Sequence, residues 1–213
     1  MLSKFDNEED IVFTAVQDYL NDNRILEKNN LINYIKSYFS KLSININEEG
    51  IIKNLESLIK QKKIVEGSKL TKDTLLENSK RKKIYEFILE NSGIYFNKIV
   101  KKVNMSNHVV YWHLNMLLKF NFIKTTNIQN HDIYYDSRLN GEEVKIHYLT
   151  NKKESKKIID YLSINRSGIK KTQLADALKM HPKTIKKYVG ILFEFGLIEK
   201  KKYSPKEILY FLK

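Results

Sequence analysis

The sequence predicts a mainly α-helical chain with small β-hairpins, in which one structural unit occurs twice at an offset of 75 residues. Nine landmarks of the first copy return in register in the second. They are Gly93-Ile94, Ile99, Val103, Met105, Val110, Leu114, Leu117, Phe120 and Ile123, followed by Gly168-Ile169, Leu174, Leu178, Met180, Ile185, Val189, Leu192, Phe195 and Ile198. Such self-similarity indicates that one supersecondary unit is used twice.

The spacing within each copy predicts two helices joined by a short turn. An apolar helix of about two turns is followed by a break and a longer helix with apolar positions at i, i+4 and i+7. Ser106 is a good N-cap for the longer helix, and Pro182 occupies its first turn in the second copy. Asn121 and Gly196 stand where these helices end, and both residue types tolerate the left-handed conformation there. This pattern is typical of a helix-turn-helix.

A hairpin is expected after each longer helix, and a further helix before each pair. Short apolar strands around a polar loop are expected at residues 122–124 and 133–135, and again at residues 197–199 and 208–211. Amphipathic helices are expected at residues 79–90 and 154–164. The order of three helices and a hairpin predicts a winged helix-turn-helix in each copy.

A third copy is predicted near the N-terminus. Four apolar landmarks lie 59 residues before their counterparts in the middle copy, and they are Ile51, Leu55, Leu58 and Ile64. Helical patterns precede them at residues 11–20 and 31–39. The predicted domains are residues 1–72, 73–137 and 150–213, with a connector at residues 138–149. The pattern leaves open whether this connector is a helix that sets the domain spacing or a dimer arm.

The middle copy resembles the winged-helix transcriptional regulators of the arsenic-repressor type from bacteria and archaea. Residues 106–117 match that family's recognition helix at Ser106, Val110, His113, Leu114 and Leu117. The likeness covers roughly the last two-thirds of the chain by pattern. It implies a tandem winged-helix regulator of archaeal type that binds DNA. The chain has no cysteine, so the thiolate site of the metal-sensing members is missing and a metal-responsive switch is not expected.

Composition and motifs argue against several other classes of protein. No apolar run approaches the ~20 residues that span a bilayer, and residues 1–10 are acidic without the apolar stretch of a signal peptide, so a cytoplasmic location is expected. The sequence has no Gly-rich phosphate loop, nucleophile elbow or His-Glu-x-x-His motif. Its five histidines lack metal-ligand spacing. We therefore expect no enzyme activity, no cofactor and no bound metal.

Charge rises along the chain toward the C-terminus. Residues 1–78 carry a net charge of −2, residues 79–136 carry +5 and residues 150–213 carry +10, with a neutral segment between the last two. Lysines gain affinity for DNA by displacing counterions condensed on the phosphates. Double-stranded DNA is therefore the expected partner of the C-terminal domain. The acidic N-terminal domain is expected to bind a protein partner or to form a homodimer, and no membrane partner is expected.

Outward-facing residues of two recognition helices and one wing are the candidate DNA contacts. In the C-terminal copy they are Lys183, Thr184, Lys186 and Lys187 on the helix, and Lys200, Lys201, Lys202 and Lys206 on the wing. In the middle copy they are Asn107, His108 and Tyr111. Lysine suits phosphates and guanine edges, and a basic hairpin suits the backbone or minor groove. Such lysines also occur on ordinary solvated faces and as protection of an edge strand.

Two neighbouring aromatic residues, Trp112 and His113, are interpreted differently. An exposed tryptophan can stack on sugar or base, but the favoured interpretation is a contact with another domain or a protein partner. His113 lies toward the buried side and is expected to be a satisfied structural histidine. The N-terminal copy places Glu49 and Glu56 at the outward positions, where a duplex would repel them.

Two functions remain after these arguments. The first, which we favour, is a DNA-binding transcriptional regulator that uses the C-terminal winged helix and leaves open a role for the middle one. The second is a winged-helix adaptor or scaffold that binds proteins within a larger complex. The fold does not separate the two, because winged helices serve both purposes.

Overall fold

The computed structural model describes residues 7–23, 25–204 and 207–213, and these are mainly helical with two small antiparallel sheets. The helices are α1 (Glu8–Asp22), α2 (Lys28–Lys41), α3 (Glu48–Lys60), α4 (Ser79–Glu90), α5 (Phe96–Val103), α6 (Asn107–Lys119), α7 (Gly141–Thr150), α8 (Lys153–Ile164), α9 (Lys171–Leu178) and α10 (Pro182–Glu194), with a short 3-10 turn at Leu75–Glu77. The strands are β1 (Ile94–Tyr95), β2 (Ile123–Ile128), β3 (His131–Asp136), β4 (Ile198–Ser204) and β5 (Glu207–Leu212). The predicted mainly α-helical class with small hairpins is confirmed.

The chain forms two compact units. The first contains the described residues up to Glu86 together with Val103–Ile123, and the second contains Phe87–Lys102 together with Lys124–Lys213. The middle copy of the repeat therefore contributes residues to both units, whereas the C-terminal copy belongs to the second. The domain boundaries expected from the sequence stay a prediction.

In the first unit, α1, α2 and α3 enclose an apolar core. Asn7 and Asn47 cap α1 and α3, since their side-chain oxygens accept the backbone N–H of Asp10 and Gly50. Lys62 follows α3 with φ +58, which is the left-handed conformation that closes a helix. The core contains Val12, Ala15, Val16, Tyr19, Leu20, Leu26, Leu31, Ile35, Phe39, Ile51, Leu55, Leu58 and Ile64.

No hairpin follows α3 in the described residues that separate it from α4. In its place, Ile64 and Thr71 form an isolated antiparallel bridge. The N-terminal region therefore has the three helices expected of a third copy, while its wing is reduced to a single bridge.

The helix-turn-helix elements begin and end close to the predicted positions. The breaks between α5 and α6 and between α9 and α10 are three residues long, and each starts with a left-handed residue, Asn104 at φ +55 and Lys179 at φ +51. The hydroxyl of Ser106 accepts the backbone N–H of Val109, as expected of the N-cap of α6. Pro182 is the first residue of α10. Asn121 and Gly196 have φ of +55 and +75.

Both predicted hairpins are present. β4 and β5 pair from Ile198 opposite Leu212 to Ser204 opposite Glu207. The middle hairpin belongs to a three-stranded sheet of order β1-β3-β2, in which the unpredicted strand β1 pairs with β3. An isolated bridge between Ile169 and Tyr210 occupies the corresponding place in the C-terminal copy. This order of helices and strands is compatible with a winged helix-turn-helix.

The connector is a helix, α7, that packs into the core of the second unit. The side-chain oxygen of Asn140 accepts the backbone N–H groups of Glu142 and Glu143, and the carboxylate of Glu143 accepts the N–H of Asn140. Tyr148 and Leu149 are buried with the apolar residues of α8, α9 and α10. The connector therefore contributes to the core that holds the C-terminal helix-turn-helix in place.

Candidate nucleic-acid interface

α10 presents three exposed lysines on one side and its apolar residues on the other. Lys183, Lys186 and Lys187 are exposed, and their i, i+3 and i, i+4 spacing places them on one face. Thr184 is half-buried beside them. The opposite face buries Ile185, Val189 and Leu192 in the core of the second unit. Burial of that face fixes which side chains α10 offers to a ligand.

In the described part of the chain, the three lysines are not paired with carboxylates. Among the described residues, none of Lys183, Lys186 and Lys187 forms an ion pair. Burial, together with the carboxylate of Glu154, raises the pKa of the neighbouring Tyr188. The charge of the lysine face is therefore available to a polyanion.

A further ammonium group adds positive charge close to Lys187. The pKa of Lys152 is lowered, first by burial and second by repulsion from Lys187, so the two groups lie near each other. The ammonium of Lys152 donates to Oε1 of Gln129 at 2.8 Å and lies 4.2 Å from the ring centroid of Tyr148. These contacts hold Lys152 without neutralising it.

The wing β4–β5 carries its lysines on alternating sides. Lys200 lies over the ring of Phe193 near the end of α10, with 4.8 Å between Nζ and the ring centroid. Lys202 is exposed on the same side of the strand by the two-residue period. Lys201 points the other way and pairs with Glu199, with 3.2 Å between Nζ and Oε1. Lys206 lies outside the described residues.

The candidate residues of the middle copy lie on α6, in the first unit. Asn107, His108 and Tyr111 are exposed, and Tyr111 is 56% accessible. Trp112 is 49% exposed, as predicted for an outward position. Because α6 and α10 belong to different compact units, each is described as a separate candidate surface.

Arg81, a buried charged residue, was not among the residues predicted from the sequence. It lies on α4, and its residue surface is 2% exposed. Its guanidinium carbon lies 5.3 Å from the ring centroid of Trp112, and burial lowers the pKa of Arg81. The sequence held a sign of this burial, since Arg81 precedes the buried Ile84 and Ile88 by three and seven residues on the same helix face.

His113 is buried as predicted, but it is not satisfied as predicted. The residue is 3% exposed, and its Nδ1 has no hydrogen-bond partner among the described residues. Burial lowers the pKa of His113, and the positive charges of Arg81 and Lys80 lower it further. The expectation of a fully hydrogen-bonded histidine was wrong, because a helical pattern shows which side a residue faces and not which groups surround it.

The helix of the N-terminal region that corresponds to α6 and α10 is α3, and two of its glutamates are paired. Lys36 bonds Glu48 at 2.6 Å, and Lys28 lies 3.4 Å from Glu56. Both pairs join α2 to α3 on the surface. α3 thus carries paired glutamates, whereas α10 carries three exposed lysines.

The described part of the chain holds neither a metal-binding cluster nor a membrane-spanning helix. Across residues 7–23, 25–204 and 207–213, no group of three or more His, Asp or Glu side chains is placed to hold a metal ion. None of the helices in those ranges is both long and apolar enough to cross a bilayer.

Comparison with known proteins supports the helix-turn-helix class. No protein-family model matches the chain. The chain is similar to an uncharacterized helix-turn-helix transcriptional regulator of Methanocaldococcus jannaschii, with 28% identity over 141 residues. The matched segment covers 66% of this chain and 35% of the relative, so it spans about a third of that protein's length. The arsenic-repressor likeness and the number of winged helices stay proposals.

Proposed function

We propose that this protein is a DNA-binding transcriptional regulator whose C-terminal winged helix, residues 150–213, binds duplex DNA. The observation that carries the proposal is the face formed by Lys183, Lys186 and Lys187, which is free of ion pairs among the described residues. The chain's similarity to a helix-turn-helix transcriptional regulator supports the same class. α10 enters the major groove, where lysines contact phosphates and guanine edges.

The wing completes the proposed interface. Lys200 and Lys202 lie on one side of β4, and Lys200 is anchored over Phe193 beside the end of α10. A cationic strand next to a recognition helix contacts the neighbouring DNA backbone or minor groove. Phosphate contacts from helix and wing together position α10, and base contacts within the groove supply specificity.

The remaining regions take supporting roles in this proposal. Residues 1–72 form an interaction domain for a protein partner or a second copy, since α3 carries Glu48, Glu49 and Glu56, and two of these glutamates pair with lysines of α2. The middle winged helix is of the arsenic-repressor type and adds a second DNA contact through Asn107, His108 and Tyr111. The proposal assigns the chain no catalytic chemistry and no cofactor, and a cytoplasmic location stays a prediction.

A selection from random duplexes tests this function. Full-length protein is expected to enrich a reproducible sequence and to bind it about a thousandfold or more tightly than scrambled DNA of the same length. Binding is measured by fluorescence anisotropy at fixed salt. Absence of enrichment together with absence of binding at low salt would contradict the proposal.

One observation favours the adaptor function as a second candidate. Tyr111 and Trp112 expose large aromatic surfaces on α6, and such residues are common anchors of protein interfaces. An adaptor would leave the duplex selection without enrichment.

A further inference from the structure

The first compact unit contains an open cleft of about 720 Å³. This volume is in the range of small-molecule sites in proteins. Its wall combines loop residues that precede α4 with side chains of α4 and α6. The lining residues that matter here are Leu70, Glu77, Arg81, Trp112, Met116 and Lys119.

Arg81 brings a nearly buried positive charge to this cleft. One guanidinium nitrogen, Nη1, donates to the backbone carbonyl of Leu75, while Nε has no partner among the described residues. In the same part of the chain no carboxylate forms an ion pair with Arg81, although Glu77 lines the cleft. Burial of a charge without a counterion costs free energy. The N–H groups of the buried guanidinium also lose their hydrogen bonds to water and need other acceptors. The protein therefore holds a guanidinium that an anion from solution would satisfy.

The rest of the wall defines the body of that anion. Trp112 offers a half-exposed flat ring whose centroid lies 5.3 Å from the guanidinium carbon. Leu70 and Met116 add apolar surface, and Met116 adapts easily to the shape of a ligand. Lys69 and Lys119 add two further positive charges to the lining.

We propose that this cleft binds a small organic carboxylate with a flat apolar body. The guanidinium of Arg81, whose Nη1 already donates to the carbonyl of Leu75, donates to the carboxylate, and a planar guanidinium suits a carboxylate better than the ammonium of lysine does. The ring of Trp112 and the side chain of Met116 cover the apolar body. The site is independent of the lysine face of α10, because it lies wholly within the first unit.

Trp112 supplies the measurement, since it is the single tryptophan of the chain. Full-length protein is titrated with benzoate, and we expect a saturable change in tryptophan fluorescence together with a rise in melting temperature. Benzamide has nearly the same shape without the charge, and we expect it to bind about tenfold more weakly than benzoate, or more weakly still. Equal responses to the two compounds would overturn the proposal, as would the absence of a saturable response to benzoate.

Variants separate the guanidinium from net charge. Arg81→Lys keeps the positive charge but removes the planar guanidinium, and it should weaken benzoate binding by about tenfold. Arg81→Met removes the charge as well and should abolish binding. Arg166→Met removes an exposed arginine of the second unit and should leave the titration unchanged. Circular dichroism establishes that each variant is folded. Wild-type affinity in folded Arg81→Lys, or inorganic phosphate bound as tightly as benzoate, would overturn the assignment.

Discussion

At the residue scale, the lysines of α2 and those of α10 differ in their surroundings. Lys28 and Lys36 in the N-terminal region are paired with glutamates, whereas Lys183 and Lys187 on α10 have no carboxylate partner among the described residues. Exposed ion pairs contribute little to stability. Their effect here is on recognition, because a paired lysine offers less of its charge to a phosphate.

The same distinction within the wing leads to a prediction. Replacing both Lys200 and Lys202 with alanine should lower the affinity for duplex DNA, because neither ammonium group is ion-paired within the described residues and both lie on one side of β4. Lys201→Ala should have a smaller effect per charge removed, since Lys201 is paired with Glu199 at 3.2 Å. Anisotropy titrations at one salt concentration measure both. A larger decrease in affinity from Lys201→Ala than from the double variant would refute the proposal that the side of β4 with Lys200 and Lys202 contacts DNA.

The buried imidazole of His113 predicts how stability depends on pH. Burial and the charges of Arg81 and Lys80 hold the pKa of His113 below 6.5 in the folded protein. As pH falls below about 6.5, the unfolded chain takes up a proton on this ring, whereas the folded chain takes it up only at lower pH. The contribution of His113 to the free energy of unfolding is therefore complete above that pH and is lost as pH falls further.

Urea unfolding between about pH 7 and about pH 5 measures this decrease. His113→Gln should flatten the decrease in unfolding free energy over this interval. His108→Gln removes a histidine from the exposed face of the same helix and serves as the matched control. If the two variants show the same pH dependence as the wild type, His113 does not act in this way.

At the element scale, the sequence predicted the helices and turns of both copies well because their information is local. Periodicity, caps and left-handed ends are set by neighbouring residues, so Ser106, Asn121, Pro182 and Gly196 occupy the expected places. β1 was missed because two residues give no period and its pairing with β3 joins segments that are distant in the chain. The burial of α7 was missed for the same reason, since its apolar residues are buried against other helices.

The close approach of α7 to the start of β1 depends on Gly93. This residue has φ +84, and a Cβ placed on it would lie 2.6 Å from the backbone nitrogen of Tyr148. Gly93→Ala is therefore expected to lower the free energy of unfolding by more than about 1 kcal/mol. The alanine would be strained at this positive φ, and its Cβ would lie too close to the backbone of Tyr148.

Gly141→Ala is the matched control for this substitution. Gly141 is the first residue of α7, does not have positive φ, and a Cβ added to it would meet no described atom within 4 Å. Alanine there should be neutral or slightly stabilising, because it favours a helix over glycine. Chemical denaturation of both variants checks the pair, and equal stability of the two would contradict the account of the Gly93 contact.

At the scale of the whole molecule, charge and packing are organised differently along the chain. Net charge runs from −2 in residues 1–78 to +10 in residues 150–213. The core of the second unit nevertheless joins Ile133 and the connector residues Val144 and Leu149 to the C-terminal helices. Charge could be counted from composition, whereas the extent of a core depends on long-range packing. The lysines of α10 and of the wing could thus be named from the sequence, whereas Arg81, which lines the separate cleft of the first unit, could not.

The central claim is that a defined face of α10, rather than the overall positive charge, binds the duplex. Fluorescence anisotropy of full-length protein with duplex DNA across a salt series tests it with two charge-matched variants. One replaces Lys183 and Lys187 with alanine, and the other replaces the exposed Lys156 and Lys157 of α8. The first should weaken binding and reduce the log–log salt slope by about 0.9 for each phosphate that is no longer bound, and the second should leave both nearly unchanged. Equal decreases in affinity in the two variants would contradict the claim, because only net charge would then govern binding.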